Sequence, residues 1–385
     1  HTLLASSLAL ALLNLAACSS APQAAAPPAP AAQQTAAAKA AGAAYDFDMD
    51  VFHPVVAHHG MVATEQALAS QIGLDILKAG GNAVDAAVGI GFALAVALPN
   101  AGNLGGGGFM MVYNAKTGKS VALDFREMAP RAATRDMYLD AKGNVVDGKS
   151  LYTHFAVGVP GTVAGMELAL KTWGTMPLAK VVAPAAALAE QGYPVSETLA
   201  KVLLQTKKTM GQWPATQAIF WKNGEPLKAG DLLVQKDLAA SMRLIGSEGA
   251  KAFYEGAIAT RIAAEMASHK GALTLEDLHS YKVVEREPTR GTYRGYEIVT
   301  MPPPSSGGPH LVQILNMLEP LPLGEWGPNS AQTIHYMAES MKLAYADRAE
   351  YLGDPDFVKI PLKGLTSKRY AAALAQGIDP NVARS

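Results

Sequence analysis

An α/β fold, with helices layered on a few short strands, is what this sequence predicts. Long stretches of helical periodicity bracket the middle of the chain. Between them, two short apolar runs follow four consecutive glycines, Gly105–Gly108, and a third run at Tyr296–Thr300 alternates as a strand does. No internal repeat is visible.

Composition narrows the function classes. The 385 residues are 49% hydrophobic and 17% charged, enough for a large core in one α/β domain or two lobes. A net charge of −1 carries no footprint for nucleic acid, so any electrostatic recognition has to be local. One cysteine rules out an intrachain disulfide framework and a cysteine-based zinc site.

The apolar run Leu3–Ala17 has the character of a secretion signal, and Leu15-Ala16-Ala17-Cys18 resembles the bacterial lipoprotein box, in which the cysteine is lipidated. An ordinary signal peptide cut nearby is the alternative. Residues 19–44, rich in Ala, Pro and Gln, read as a tether that cannot bury enough surface to fold. The expected organisation is a leader over 1–18, a flexible tether over 19–44 and one folded domain over 45–385. Export to the periplasm follows, with a possible lipid anchor at Cys18.

Within the domain, Thr64 can cap a helix over Glu65–Ala79 that Gly80-Gly81 stops. Asn82 opens a second helix, Ala83–Leu98, apolar nearly all round and closed by Pro99; at that length it is a core helix and not a membrane span. Phe109–Tyr113 and Val121–Phe125 flank the polar turn Asn114–Lys119 and predict a buried hairpin. Helices are expected over Thr162–Thr172, Ala179–Gln191 and Lys236–Lys270, the last interrupted near Gly249. Thr274-Leu275-Glu276-Asp277 is a capping signature for a short helix. The strand Tyr296–Thr300 and the helices His310–Leu318 and Ala331–Tyr351 complete the series; Val195–Asp231 shows no clear pattern.

The glycine run predicts a place where backbone passes close to another strand or a ligand. The hairpin's second strand then delivers Arg126, a planar, permanently charged fork suited to carboxylates, at the edge of a cleft and facing the interior. The competing expectation is a surface arginine paired with Asp124 or Glu127. Gly143–Ser150 (GNVVDGKS) matches the phosphate-loop pattern by letter, but a polar turn precedes it and no helix start follows, so it is a decoy. His58 and His59 face opposite ways on an extended run, and with His53 they are ordinary histidines with no metal. Pro302–Gly308 predicts either a structural turn or a wall of the cleft. The polar clusters Tyr345–Arg348 and Tyr351–Pro355 predict a hydrogen-bond network that holds the fold, or else supports the site. No nucleophile–base pair can be named, so no catalytic residue is assigned in this chain.

Six strings taken together resemble the bacterial γ-glutamyltransferases, or glutathione hydrolases: Gly80–Val88, Asn103–Met110, Asp124–Pro130, Pro160–Gly165, Met301–Gly308 and Tyr345–Phe357. The resemblance implies a four-layer αββα sandwich of the N-terminal nucleophile hydrolase type and a proenzyme that cuts itself in two. It implies a γ-glutamyl acyl-enzyme formed from glutathione or related amides, and transfer to water or to acceptor amino acids or peptides. This chain corresponds to the large subunit. The small subunit, its heterodimer partner, would bring the nucleophilic threonine, whose own amine is the base, so this chain alone is expected to be inactive. Arg126 matches the arginine that holds the substrate's α-carboxylate. No cofactor, metal or nucleic acid is implied. A related acylase for poly-γ-glutamate or β-lactam side-chain amides, and a non-catalytic exported binding subunit, are the rival readings.

Overall fold

The computed structural model describes residues 55–384. The expected leader and tether, Cys18 and His53 lie outside them, and, apart from the exposure of His58, the description below concerns the unit that starts at His59.

Helix α1 spans Ala67–Lys78, two residues later than the sequence suggests. The Gln66 side chain takes the cap, accepting from the Leu68 amide at 2.8 Å, while Thr64 bonds to Gln66 and Ser70 just upstream. Helix α2, Ala83–Ala97, begins where Asn82 predicts, and Asn82 and Asp85 form a reciprocal capping box. Val88, Phe92, Ala93 and Val96 of α2 are almost completely buried. Asp85 is buried with them, and its carboxylate accepts from the Asn82, Thr175 and Met176 amides and the Thr175 hydroxyl at 2.7–3.0 Å. Burial alone would raise that carboxyl's pKa; the Thr175 hydroxyl and the three amides outweigh it and hold it below the usual range.

The hairpin forms as β1, Phe109–Asn114, antiparallel to β2, Lys119–Asp124, with Phe109 opposite Asp124. It is not buried on both faces as expected. Met110 and Val112 pack on the core, whereas Phe109, Met111 and Tyr113 are 37%, 38% and 67% exposed. The reason is position: β1 is the edge of a three-stranded sheet and has one covered face.

Helix α3, Thr162–Trp173, packs on α2 and β2. Helix α4, Leu178–Gln191, lies against α2 and against α5, Lys236–Glu248. The long helix expected over Lys236–Lys270 is three pieces, α5, a turn at Lys251–Tyr254, and α6, Ala257–Ser268. Gly249 at φ +77° ends α5, and Gly256 is the N-cap of α6. Thr274 and Asp277 make the predicted capping box for α7, Leu275–Ser280.

Val284–Arg286, β3, joins the other side of β2, a strand of three residues that periodicity does not reveal. The strands β4, Thr289–Tyr293, and β5, Tyr296–Thr300, form a separate hairpin. Helix α8, Gly307–Leu318, starts earlier than expected, and α9, Ala331–Tyr351, matches its predicted span; the two pack together with α10, Lys368–Ala375. Mixed helix and sheet bear out the α/β class. A helix packs on one side of β1–β3, and the outward side chains of β1 are open to solvent. Among the described residues, no helix is long and apolar enough to cross a membrane.

Candidate functional site

An open cleft of about 1020 Å³ lies at the β1–β3 sheet. Its walls come from Gly107 and Gly108, the segment Asp124–Ala129, Tyr281–Arg286, Pro304–Ser306 and the end of α9 with the loop that follows. Arg126 is on that wall.

The backbone around Arg126 is pinned on every side. Phe125 exchanges two hydrogen bonds with Gly108, at 3.1 and 3.2 Å, and Met128 exchanges two with Val159, at 2.7 and 3.2 Å. Between them the Arg126 amide donates to Asp124 Oδ1 at 3.1 Å, and the Tyr281 hydroxyl donates to the Arg126 carbonyl at 2.9 Å. Further on, the Arg131 amide donates to Asp277 Oδ1 at 3.0 Å. Two glycines make this packing possible. A Cβ on Gly107 would meet the Phe125 carbonyl and Glu127 amide at 2.6 Å, and one on Gly161 would meet the Phe125 carbonyl and Tyr281 hydroxyl at 2.1 Å. The close partner that the glycine run predicts is therefore the Arg126 strand end itself.

The Arg126 guanidinium forms no ion pair or side-chain hydrogen bond among the described residues. It is exposed in the cleft and does not face the interior as the sequence suggests. Neither expected rival, Asp124 or Glu127, pairs with it, and Asp124 Oδ2 accepts instead from Arg286 Nε at 2.8 Å. Arg286 also pairs with Asp356 at 2.6 Å, so β3 is tied to both β2 and the loop after α9. The hydrogen bonds that Arg286 donates to Asp356, then to Asp124, hold it charged, and Arg286 in turn depresses the Asp356 pKa. Burial drives the Tyr281 phenol far above its ordinary pKa, so it stays a donor.

The polar cluster at the end of α9 divides its labour. Asp347 accepts from Gln313 and from the Tyr370 hydroxyl, which locks α8, α9 and α10 together. Arg348 turns the other way, and its Nε donates to Ser306 Oγ at 3.1 Å at the cleft wall. Pro302–Gly308 is likewise both turn and wall, since Pro304–Ser306 line the cleft while a Cβ on Gly308 would collide with the Met301 carbonyl at 1.9 Å. Gly143–Ser150 is a bridged turn whose end, contrary to expectation, opens a short helix, Lys149–Tyr152; with four residues and no strand before it, away from the cleft lining, it remains a decoy. His58 and His59 are exposed and outside the lining as well.

Sequence reasoning missed Tyr281 and Arg286. Arg286 is 162 residues from Asp124 and sits on the strand too short to show a period.

The family model for gamma-glutamyltranspeptidase matches residues 69–385. The chain is 55% identical to the glutathione hydrolase proenzyme of Escherichia coli strain K12 over 346 residues, 90% of this chain but 60% of that protein's length. It is 41% identical to the acylase ACY 1 proenzyme of Pseudomonas sp. strain V22, over 83% of this chain and 58% of that one. The crystal structure of Helicobacter pylori gamma-glutamyltranspeptidase superposes with a TM-score of 0.84 at 46% identity, covering 86% of this chain and 95% of that chain. The glycine-packed strand end and its arginine thus sit in a fold and a sequence shared with these proteins, and the chain belongs to the gamma-glutamyltranspeptidase family.

Proposed function

We propose that this chain is the large subunit of an enzyme that cleaves the γ-glutamyl amide of glutathione and related compounds. The acyl group would pass through an acyl-enzyme to water or to acceptor amino acids or peptides. The attacking threonine would come from the small subunit, cut from the same proenzyme and paired with this chain as a heterodimer. The leader and the box at Cys18 support a periplasmic, lipid-anchored protein.

One observation carries the assignment: Arg126 has a fully pinned backbone and an uncommitted guanidinium at a cleft. A γ-linked glutamyl amide presents a free α-carboxylate to such a fork, and an α-linked peptide does not. Losing one partner of a buried charge pair costs about 2–5 kcal/mol. In the complete protein, Arg126→Ala should raise KM for a γ-glutamyl anilide at least roughly tenfold, and Arg126→Lys should restore little of it. An unchanged KM removes Arg126 from substrate binding.

The acylase relative gives the second reading its support. Arg126 grips the α-carboxylate, which a glutaryl amide lacks. A protein that cleaves glutaryl anilide as well as γ-glutamyl anilide is therefore the acylase; a strong preference for γ-glutamyl is the transferase. Loss of all hydrolysis in the complete, processed protein would leave the binding-subunit reading.

A further inference from the structure

Outside the cleft, the fold gathers three side chains that the sequence keeps apart. His154 Nε2 lies 3.2 Å from Glu265 Oε1, and His269 Nδ1 lies 3.2 Å from the same oxygen. All three donor atoms fall within 4.8 Å of one another. Glu265 and His269 are one turn apart at the end of α6, and His154 arrives from 111 residues earlier. Separation in sequence is why spacing suggested no metal ligands.

The cluster is held in place from both sides. Thr153 Oγ1 donates to the Lys149 carbonyl at 2.6 Å and accepts from the Phe155 amide at 3.2 Å, fixing the turn that carries His154. The Tyr138 hydroxyl donates to the Phe155 carbonyl at 3.2 Å. Gly271, just past α6, sits against this turn; a Cβ there would meet the Cβ and carbonyl of His154 at 3.0 Å. Trp213 sets its edge against both imidazoles, with centroids 5.0 and 5.8 Å away.

We propose that His154, Glu265 and His269 bind one divalent metal ion of the zinc class. Nε2, Oε1 and Nδ1 are the ligands and water fills the fourth position. Tetrahedral zinc with bonds of about 2.0–2.2 Å sets its ligands roughly 3.3–3.5 Å apart, close to the two spacings seen here. Two imidazoles and one carboxylate select zinc, nickel or copper over magnesium or calcium. The rings stack at 4.1 Å and 5°, and His269 Nδ1 also lies 2.9 Å from Ser268 Oγ and 3.2 Å from the Glu265 carbonyl oxygen, so His269 must tilt off those contacts and give up its Nδ1 proton before both lone pairs reach one ion. His269, at the helix C-cap with 43% of its side chain exposed, has the room; His154, at 14%, is the fixed ligand. The ion would clip the Lys149–Phe155 turn to the end of α6.

The test uses the complete protein stripped with a chelator, then dialysed against Zn2+ with metal counted per chain. Wild type should take up one Zn2+ more than the double variant His154→Asn/His269→Gln, whose affinity at this site should fall at least roughly 100-fold. His269→Gln alone, at an exposed helix end, should weaken binding at least roughly tenfold with an unchanged Tm in chelator, which separates ligand loss from misfolding. Zn2+ should raise the wild-type Tm and leave the double variant's unmoved. Equal Zn2+ affinity in wild type and the His269→Gln variant overturns the proposal, as does no uptake by wild type.

Discussion

Helices α2 and α9 cross the same protein in opposite conditions. Ten of the 15 residues of α2 are buried, and its one charge, Asp85, is met by four donors. Only six of the 21 residues of α9 are buried, and Ile334, Met337, Met341 and Tyr345 stand 39–60% exposed at steps of three and four along one face. The four buried side-chain polar atoms without a partner, among the described residues, all fall from Thr289 to Ser340, with Ser340 on α9 itself. The first region is finished by its own chain, and the second leaves both apolar surface and polar valence open. Stability should therefore be concentrated around α2, and polar groups should matter there far more than around α9.

The largest effect is expected from Phe92→Ala, which opens a cavity in the completed region and should cost about 3–5 kcal/mol in urea unfolding. A loss under about 1 kcal/mol would show that α2 is not the core it looks like. Next comes Asp85→Asn, which leaves amide hydrogens facing amides and should cost about 3 kcal/mol at neutral pH. Because the folded carboxyl sits below its ordinary pKa, its contribution is complete above the unfolded value of about 3.9 and is lost as pH falls through the lower folded value. The gap between wild type and Asp85→Asn should hence narrow in acid; a gap that widens below about pH 4 contradicts the sign. The smallest effect is expected from Ser340→Ala, within about 0.5 kcal/mol, since its hydroxyl has no partner to lose. A cost near that of Asp85→Asn would mean that α9 is as complete as α2.

The same contrast decides what could be read from sequence. Helix α2 was legible because its residues are apolar in every direction and Asn82 marks its start, so no neighbour needs to be known. The bond between α2 and Thr175 was not, since the partners are 90 positions apart. Arg126 was legible because a strand ends on it and glycines precede it; its pinning by Tyr281, 155 residues on, was not. The run Phe109–Tyr113 misled for a physical reason: continuous apolar residues read as burial on both faces, but an edge strand can leave one face open. Polar α9 was delimited correctly by its span, while which side of it faces inward was beyond any local pattern.

Gly161 shows how far the fork at the cleft depends on groups that never touch a ligand. One extra methyl there would drive into the Phe125 carbonyl and the Tyr281 hydroxyl, and the strand end would have to slide, carrying its side chain off target. On the proposed binding role of Arg126, a blind genetic screen for lost binding should recover that glycine beside the arginine, although 35 positions separate them.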